Sequence, residues 1–349
     1  MTRALLAALL FATTPVSPTQ IAPQTPVVVF AEDFELSERP VLLTDYAAPA
    51  GPRYSADPAW LTSCNGLIAS ERHAPVDPTG GGCNGRWPDV QRLAGALGEP
   101  ATNHALTAHT ESDPGPGKVQ FETVAPVALS RPGRFLTWSV DAAAQNCGAS
   151  HAMLAVLLLD GRAAVADRTA PIDPCGGAVD GSHAGTYRGD RPVLFPGAQF
   201  GVRLVNLQGS GVGNDAAVDN IRVLDVTPQL EPAFRPAEVA VGATATLAYT
   251  VTNTADLGAK DGWSFFGRLP AGVTVAGQAS TDCTAANVTA VPGATAVSAE
   301  ASLAVGQVSC AVTVPVTASA AGTYTTCAAD IAPMVGLNPP GCASVRFRS

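Results

Sequence analysis

The stretch NDAAVDNIRVLDV, residues 214–226, sets Asp215 and Asp219 just ahead of a run of β-branched residues. Two carboxylates four residues apart can do three kinds of chemistry. They can move protons around a scissile bond, hold a hard cation, or accept hydrogen bonds from backbone amides. On an ideal strand Asp219 shares a face with Ile221 and Val223, while Asn220, Arg222 and Leu224 take the other. A carboxylate aligned with two apolar neighbours needs donors, a cation or an exposed strand end, because burying a bare charge is costly. Calcium, with its oxygen ligands, is one solution for Asp219. The alternative is that Asp215 caps the GSGVGND turn and Asp219 bonds backbone amides. A hydrolytic pair needs a second acid converging on the same gap, and no spacing in the chain supplies one.

Other chemistry-bearing residues fall away sooner. GSGVGN, residues 209–214, is glycine-rich but leads into a strand rather than a helix, so it is no dinucleotide loop. His104 and His109 lack an HExxH frame, and a polar strand or loop is their expected home. DGSHAG does not match the G-x-S-x-G elbow that would activate Ser182. Trp60, Trp87 and Trp138 could stack on sugar rings, yet buried core positions suit them better.

The elements that must position these residues read as strands. The chain has 349 residues, 34 Gly and 29 Pro, and only 14% of residues are charged. Short β-branched runs between Gly, Pro, Asn and Asp clusters predict an all-β chain. Strands are expected in TPVVVFAEDFE, KVQFETVAPVAL, GRFLTWSVDAAA, HAMLAVLLLDG and PVLFPGAQFGVRLVNLQ. WPDVQRLAGALGEP places Val90, Leu93, Ala94 and Leu97 at helical spacing, opened by Trp87–Pro88 and closed by Gly98. After Thr227 the charges thin out, and TATLAYTVTNT alternates with Ala245, Leu247, Tyr249 and Val251 on one face. The expected organisation is a signal peptide and short linker over 1–26, a jelly-roll-like β-sandwich over 27–226 and an Ig-like β-sandwich over 227–349.

The signal peptide reading rests on Arg3, the apolar run Ala4–Ala12 and the Pro/Thr/Gln-rich stretch behind it. That run is too short to span a bilayer, and no later segment is apolar enough to do so. The eight cysteines then read as disulfides in an oxidising compartment. Keeping bonds within each sandwich leaves nine pairings. The nearest-neighbour set is expected: Cys64–Cys83, Cys147–Cys175, Cys283–Cys310 and Cys327–Cys342, each worth about 3 kcal/mol in the chain-entropy model. A zinc site would want closer Cys/His pairs than any present. The net charge is −9 and neither half carries a basic stripe, which removes nucleic acid as a partner.

FRPAEVAVGATATLAYTVTNT, then LPAGVTV and a late GTYTTCAA, resemble the Ig-like conserved repeat of bacterial cell-surface proteins. That resemblance implies a spacer without catalytic residues. ADPAWLTSCNG, GRFLTWSVDAAAQNC and QGSGVGNDAAVDNIRVLDVTPQL resemble the N-terminal module of secreted actinobacterial surface proteins. AEDFE and AVDNIRV are also similar to the ends of carbohydrate-binding jelly rolls. This resemblance implies a structural calcium on Glu35 and Asp219. The resulting expectation is a secreted, non-enzymatic cell-surface protein that binds a surface glycan or protein. A secreted glycan-active hydrolase using carboxylates of the first sandwich and a purely structural envelope component are the alternatives.

Overall fold

A computed structural model describes residues 22–46, 54–61, 64–73, 82–99, 102–165, 170–176, 183–211 and 213–349. The expected signal peptide and Ser182 lie outside the described residues. Strands dominate, with one α-helix, Trp87–Gly95, among the described residues.

Between Val27 and Asp225 two sheets face each other. Eight strands build the first, centred on Arg134–Gln145 and Asp215–Asp225; six build the second, centred on Leu154–Asp160 and Gln199–Asn206. Alternation along each strand sends one set of side chains inward. Trp138, Val140, Ala142, Val218 and Ile221 from one sheet meet Phe121, Val156, Leu158, Phe200 and Val202 from the other in a common core. The fold is therefore an all-β sandwich. Trp60 and Trp138 are part of that core, so neither offers a surface stacking platform.

The helix covers the outer face of the larger sheet. Trp87, Val90, Leu93 and Ala94 pack there on Leu67, Ala69, Ala105 and Ala217. Pro88 in the first turn leaves no amide unsatisfied, and Asp89 complements the helix N-terminus. The helix ends at Gly95, three residues before Gly98.

Beyond Thr227 three further sheets surround a second core that includes Tyr249, Trp263, Phe265, Val312 and Phe347. The strand Ala245–Thr252 buries Ala245, Leu247, Tyr249 and Val251, as its alternation predicts. The Lys260 ammonium is enclosed and bonds both Asp256 carboxylate oxygens (3.2 and 3.0 Å) and the Gly258 carbonyl (3.1 Å).

Four disulfides join Cys64 to Cys83, Cys147 to Cys175, Cys283 to Cys310 and Cys327 to Cys342, and no cysteine is free. Two lie before residue 227 and two after it, and none crosses.

The two halves are joined by more than the chain at Thr227. Arg134 and Asp225 form a buried ion pair (2.6 Å), and Arg134 also donates to Asn338 (2.6 Å). Asn338 in turn donates to the Thr227 carbonyl (2.8 Å), and the Gly336 amide bonds Gly133 (2.8 Å). Phe135 leaves the first core and packs in the second. Residues 22–26 are also part of this junction. The sequence reading made them a short linker, yet Gln24 exchanges two backbone hydrogen bonds with Asn253 and Ala255 before the chain enters the strand Val27–Glu32.

Glu32, at the end of that strand, shows how the first core tolerates a carboxylate. Its oxygens accept from the Phe34 amide (2.7 Å) and the hydroxyls of Tyr46 (3.1 Å) and Tyr54 (2.5 Å). Burial, and then this charge, push both tyrosine hydroxyls well above their ordinary pKa. Glu32→Gln turns one acceptor into a donor facing donors. It is expected to cost about 1.5–3 kcal/mol of unfolding free energy, the range for hydrogen bonds to a charged group. A denaturant midpoint equal to wild type would contradict that.

Candidate functional site

The strand Asp215–Asp225 positions both aspartates, and its pairing explains where they go. One edge pairs first with His104–His109, up to Val218 opposite Leu106, and then with Val27–Glu32, from Ile221 opposite Glu32. Two strands thus lie end to end along one neighbour, and the hand-off falls at Asp219 and Asn220. On the other edge the register runs from Asp219 opposite Asp141 to Arg222 opposite Ser139, so one residue is extra. Asn220 absorbs it with φ of 49°, a left-handed conformation that Asn tolerates better than most residues.

That bulge overturns the expected face for Asp219. Ala216 and Val218 point into the sandwich core, and so do Ile221 and Val223. Asp219 therefore lies on the outer, helix-covered face with Ala217, opposite to Ile221 and Val223. A single extra residue shifts the two-residue alternation by one step.

Asp219 is 1% exposed and accepts from the Asn220 amide (2.6 Å) and the Asn103 side chain. Burial drives its pKa up to about 7, and the charges of Glu35 and Asp141 add to the rise. Glu35 lies close enough for its charge to act on Asp219, but its oxygens engage His104: Oε1 accepts the backbone amide (2.9 Å) and Oε2 meets Nδ1 (2.7 Å). His104 Nε2 lies 3.3 Å from His73 Nε2. The Ser70 amide donates to His73 Nδ1 (3.1 Å), and the ring is also hydrogen-bonded to the Glu38 backbone. Such a ring offers no free nitrogen to a transition metal. Asp141 accepts from Thr186 (2.6 Å) and from the Asn220 side chain (2.9 Å).

The carboxylates of Asp219, Glu35 and Asp141 are oxygen ligands of the kind calcium takes. The charges of Glu35 and Asp141 reach Asp219, but the three do not gather within 4.8 Å of one another, and both Glu35 oxygens already engage His104. Among the described residues, the tightest acid, histidine and cysteine clusters lie elsewhere, at His151, Asp173 and Cys175 and at Asp282, Cys283 and Cys310. Both contain disulfide-bonded cysteines, whose sulfurs are not thiolate ligands.

Asp215 has a separate role. The sequence reading made it the cap of its own turn. Instead it accepts from the Thr110 amide (3.0 Å) and the Asn146 side chain (2.7 Å), tying together the ends of two neighbouring strands. Burial raises its pKa. It also borders an open cleft of about 650 Å³, with His109 alongside. Sequence reasoning missed this cleft because its walls come from four segments spread over some 130 positions (86–215). Asp219 and Asp215 serve different neighbourhoods: Asp219 feels the charges of Glu35 and Asp141, while Asp215 shares its cleft with Glu111.

Residues 228–344 match the family model described as a domain of unknown function, DUF7933. No curated protein matches the chain. Among solved structures, a Stig cyclase, Fisc, from Fischerella sp. TAU is 18% identical. That match covers 57% of this chain and 98% of the cyclase at a TM-score of 0.30. The K3 cleaved adhesin domain of Lys-gingipain from Porphyromonas gingivalis w83 is 13% identical, with the same coverages and a TM-score of 0.31. The N-terminal domain of the Streptococcus gordonii adhesin Sgo0707 is 7% identical over 95% of this chain and 90% of its own, at 0.32. Superpositions this loose identify no shared site.

Proposed function

We propose that this chain is an exported, non-enzymatic surface module in which a binding sandwich is mounted rigidly on a spacer sandwich. The observation that carries the reading is the junction. Arg134, Asp225 and Asn338 form one buried network across it, and Gln24 straps the entry strand to the far half. A carrier of this build transmits position and load between a surface and a ligand. The four disulfides, two on each side, suit an oxidising compartment outside the cell. The partner is a cell-surface glycan or protein. A purely structural envelope role would leave the cleft beside Asp215 without a use.

A structural calcium belongs to this reading, held by Asp219 and Glu35 with Asp141 adding charge. Its chemistry is to neutralise the carboxylates where the strands Val27–Glu32 and His104–His109 meet. Glu35 would exchange its His104 contact for the ion. Adding calcium to chelator-treated protein is expected to raise the melting temperature, and Asp219→Asn to abolish most of that rise. An equal rise in the variant would remove Asp219 from the site.

A further inference from the structure

Neither aspartate assignment uses the cleft beside Asp215. His109 forms part of its wall and is 8% exposed. Its Nδ1 has no hydrogen-bond partner and faces Asp215 Oδ1 at 3.7 Å, while Nε2 lies 3.5 Å from Asp89 Oδ2. That nitrogen has almost no accessible surface, so contacts to anything in the cleft fall to the more exposed lining residues.

The cleft is also held open by construction. The His109 amide bonds the carbonyl of Cys64, whose disulfide partner Cys83 lies three residues before Arg86 on the rim. Cys147, bonded to Cys175, sits between Asn146 and Gly148 on the opposite rim. The glycine-rich loop forms a third side and is pressed into its neighbours. A Cβ on Gly211 would lie 2.1 Å from the Ser112 carbonyl oxygen, and Gly213 has φ of 76° with its Cβ position 2.5 Å from the Asn146 carbonyl oxygen. Both disulfides of this half therefore clamp one depression, which lowers the ordering cost of binding there.

The lining sets the class of ligand. Arg86, Glu111 and Asp215 supply both signs of charge, while Asn146, Ser150 and backbone amides supply neutral donors and acceptors. Among the described lining residues the apolar side chains are small, Ala149 contributing only a methyl group, so polar groups set the character of the cleft. A polyanion would meet two carboxylates. Hydroxyl groups, which donate and accept at once, satisfy such a mixed surface, and neighbouring hydroxyls suit a carboxylate beside a guanidinium. The volume lies within the usual range for small-ligand sites, about 300–1,000 Å³.

We infer that this cleft is the ligand site of the first sandwich and takes a neutral sugar end group through its hydroxyls. The inference rests on the binding reading above and names where that binding occurs.

The test uses the full oxidised chain and ligand-observed NMR titrations with the methyl glycosides of glucose, galactose, mannose and N-acetylglucosamine, with glucuronic acid alongside. At least one neutral glycoside is expected to bind, ahead of glucuronic acid. Ala149→Trp fills the cleft from an exposed rim position, and Arg86→Ala removes an exposed guanidinium; both should melt like wild type. Each should weaken the neutral glycoside about tenfold or more, equivalent to about 1.4 kcal/mol. No binding by any neutral glycoside, stronger binding of glucuronic acid, or unchanged affinity in both variants would overturn the assignment. Retention on a whole glycan or protein surface that survives both variants would overturn this site while leaving the surface-binding reading standing.

Discussion

With calcium chelated at pH 8, Asp219→Asn is expected to be more stable than the wild-type chain. Asp219 is buried, and its folded pKa of about 7 lies above its ordinary 3.8. A carboxyl group raised in this way favours the folded state fully below pH 3.8. That contribution is lost as the pH rises through 7, because the unfolded chain ionises first. Three pKa units correspond to a loss on the order of 4 kcal/mol. Asparagine keeps the shape and carries no charge, so the variant should lose the Asp219 share of the pH dependence and keep that of Asp215 and His73. Saturating calcium should restore the wild type at pH 8 and raise the variant far less. Chemical denaturation at several pH values, with and without calcium, reads all three effects. A wild-type chain whose stability stays flat from pH 4 to pH 8 in chelator would contradict the burial argument.

Arg134→Met should be the most damaging single change at the junction. Arg134 and Asp225 are 8% and 7% exposed at their side chains, and the guanidinium also holds Asn338. Removing it leaves a buried carboxylate bonded to the Thr227 amide (3.0 Å), with the Arg131 guanidinium felt through its charge. Breaking a buried pair in this manner costs about 3–5 kcal/mol, whereas replacing both partners with apolar residues is often close to neutral. Calorimetry should show one transition for the wild type and two for Arg134→Met. Most of the loss should be recovered in Arg134→Met combined with Asp225→Leu. A single variant within about 1 kcal/mol of wild type would mean that the pair contributes little to coupling, as many exposed pairs do.

Much of the architecture was legible from residue patterns. Alternation along 245–251 marks the inward face because antiparallel strands there have one buried side. The 3.6-residue spacing of Val90, Leu93 and Ala94 marks the helix face that meets the larger sheet. Cysteines nearest in sequence pair in the structure, since short strands joined by tight turns keep sequence neighbours close in space.

The site was legible only in its residue types. The motif pointed to Glu35 and Asp219, but the bulge at Asn220 reversed the side on which Asp219 lies. Nothing in the residue pattern fixes such an insertion, because it depends on which strand hands over to which. Glu35 turning to His104 follows from the same hand-off, made between residues 69 positions apart. The Arg134 network and the Gln24 strap were hidden for a related reason: each links residues far apart in the chain through polar side chains or backbone with no periodicity. His109 was read as an ordinary polar strand residue, and only the packed structure shows its unpartnered nitrogen beside Asp215.

On this reading the chain grips its partner and leaves it chemically unchanged. One measurement tests it directly: incubating the full oxidised chain with a panel of insoluble surface polysaccharides, then following retention of the protein and release of reducing ends in the same samples. Retention is expected on at least one polysaccharide, with no release above buffer. Steady release that Asp215→Asn or Glu111→Gln abolishes, in variants that still fold, would contradict it and make the first sandwich a hydrolase.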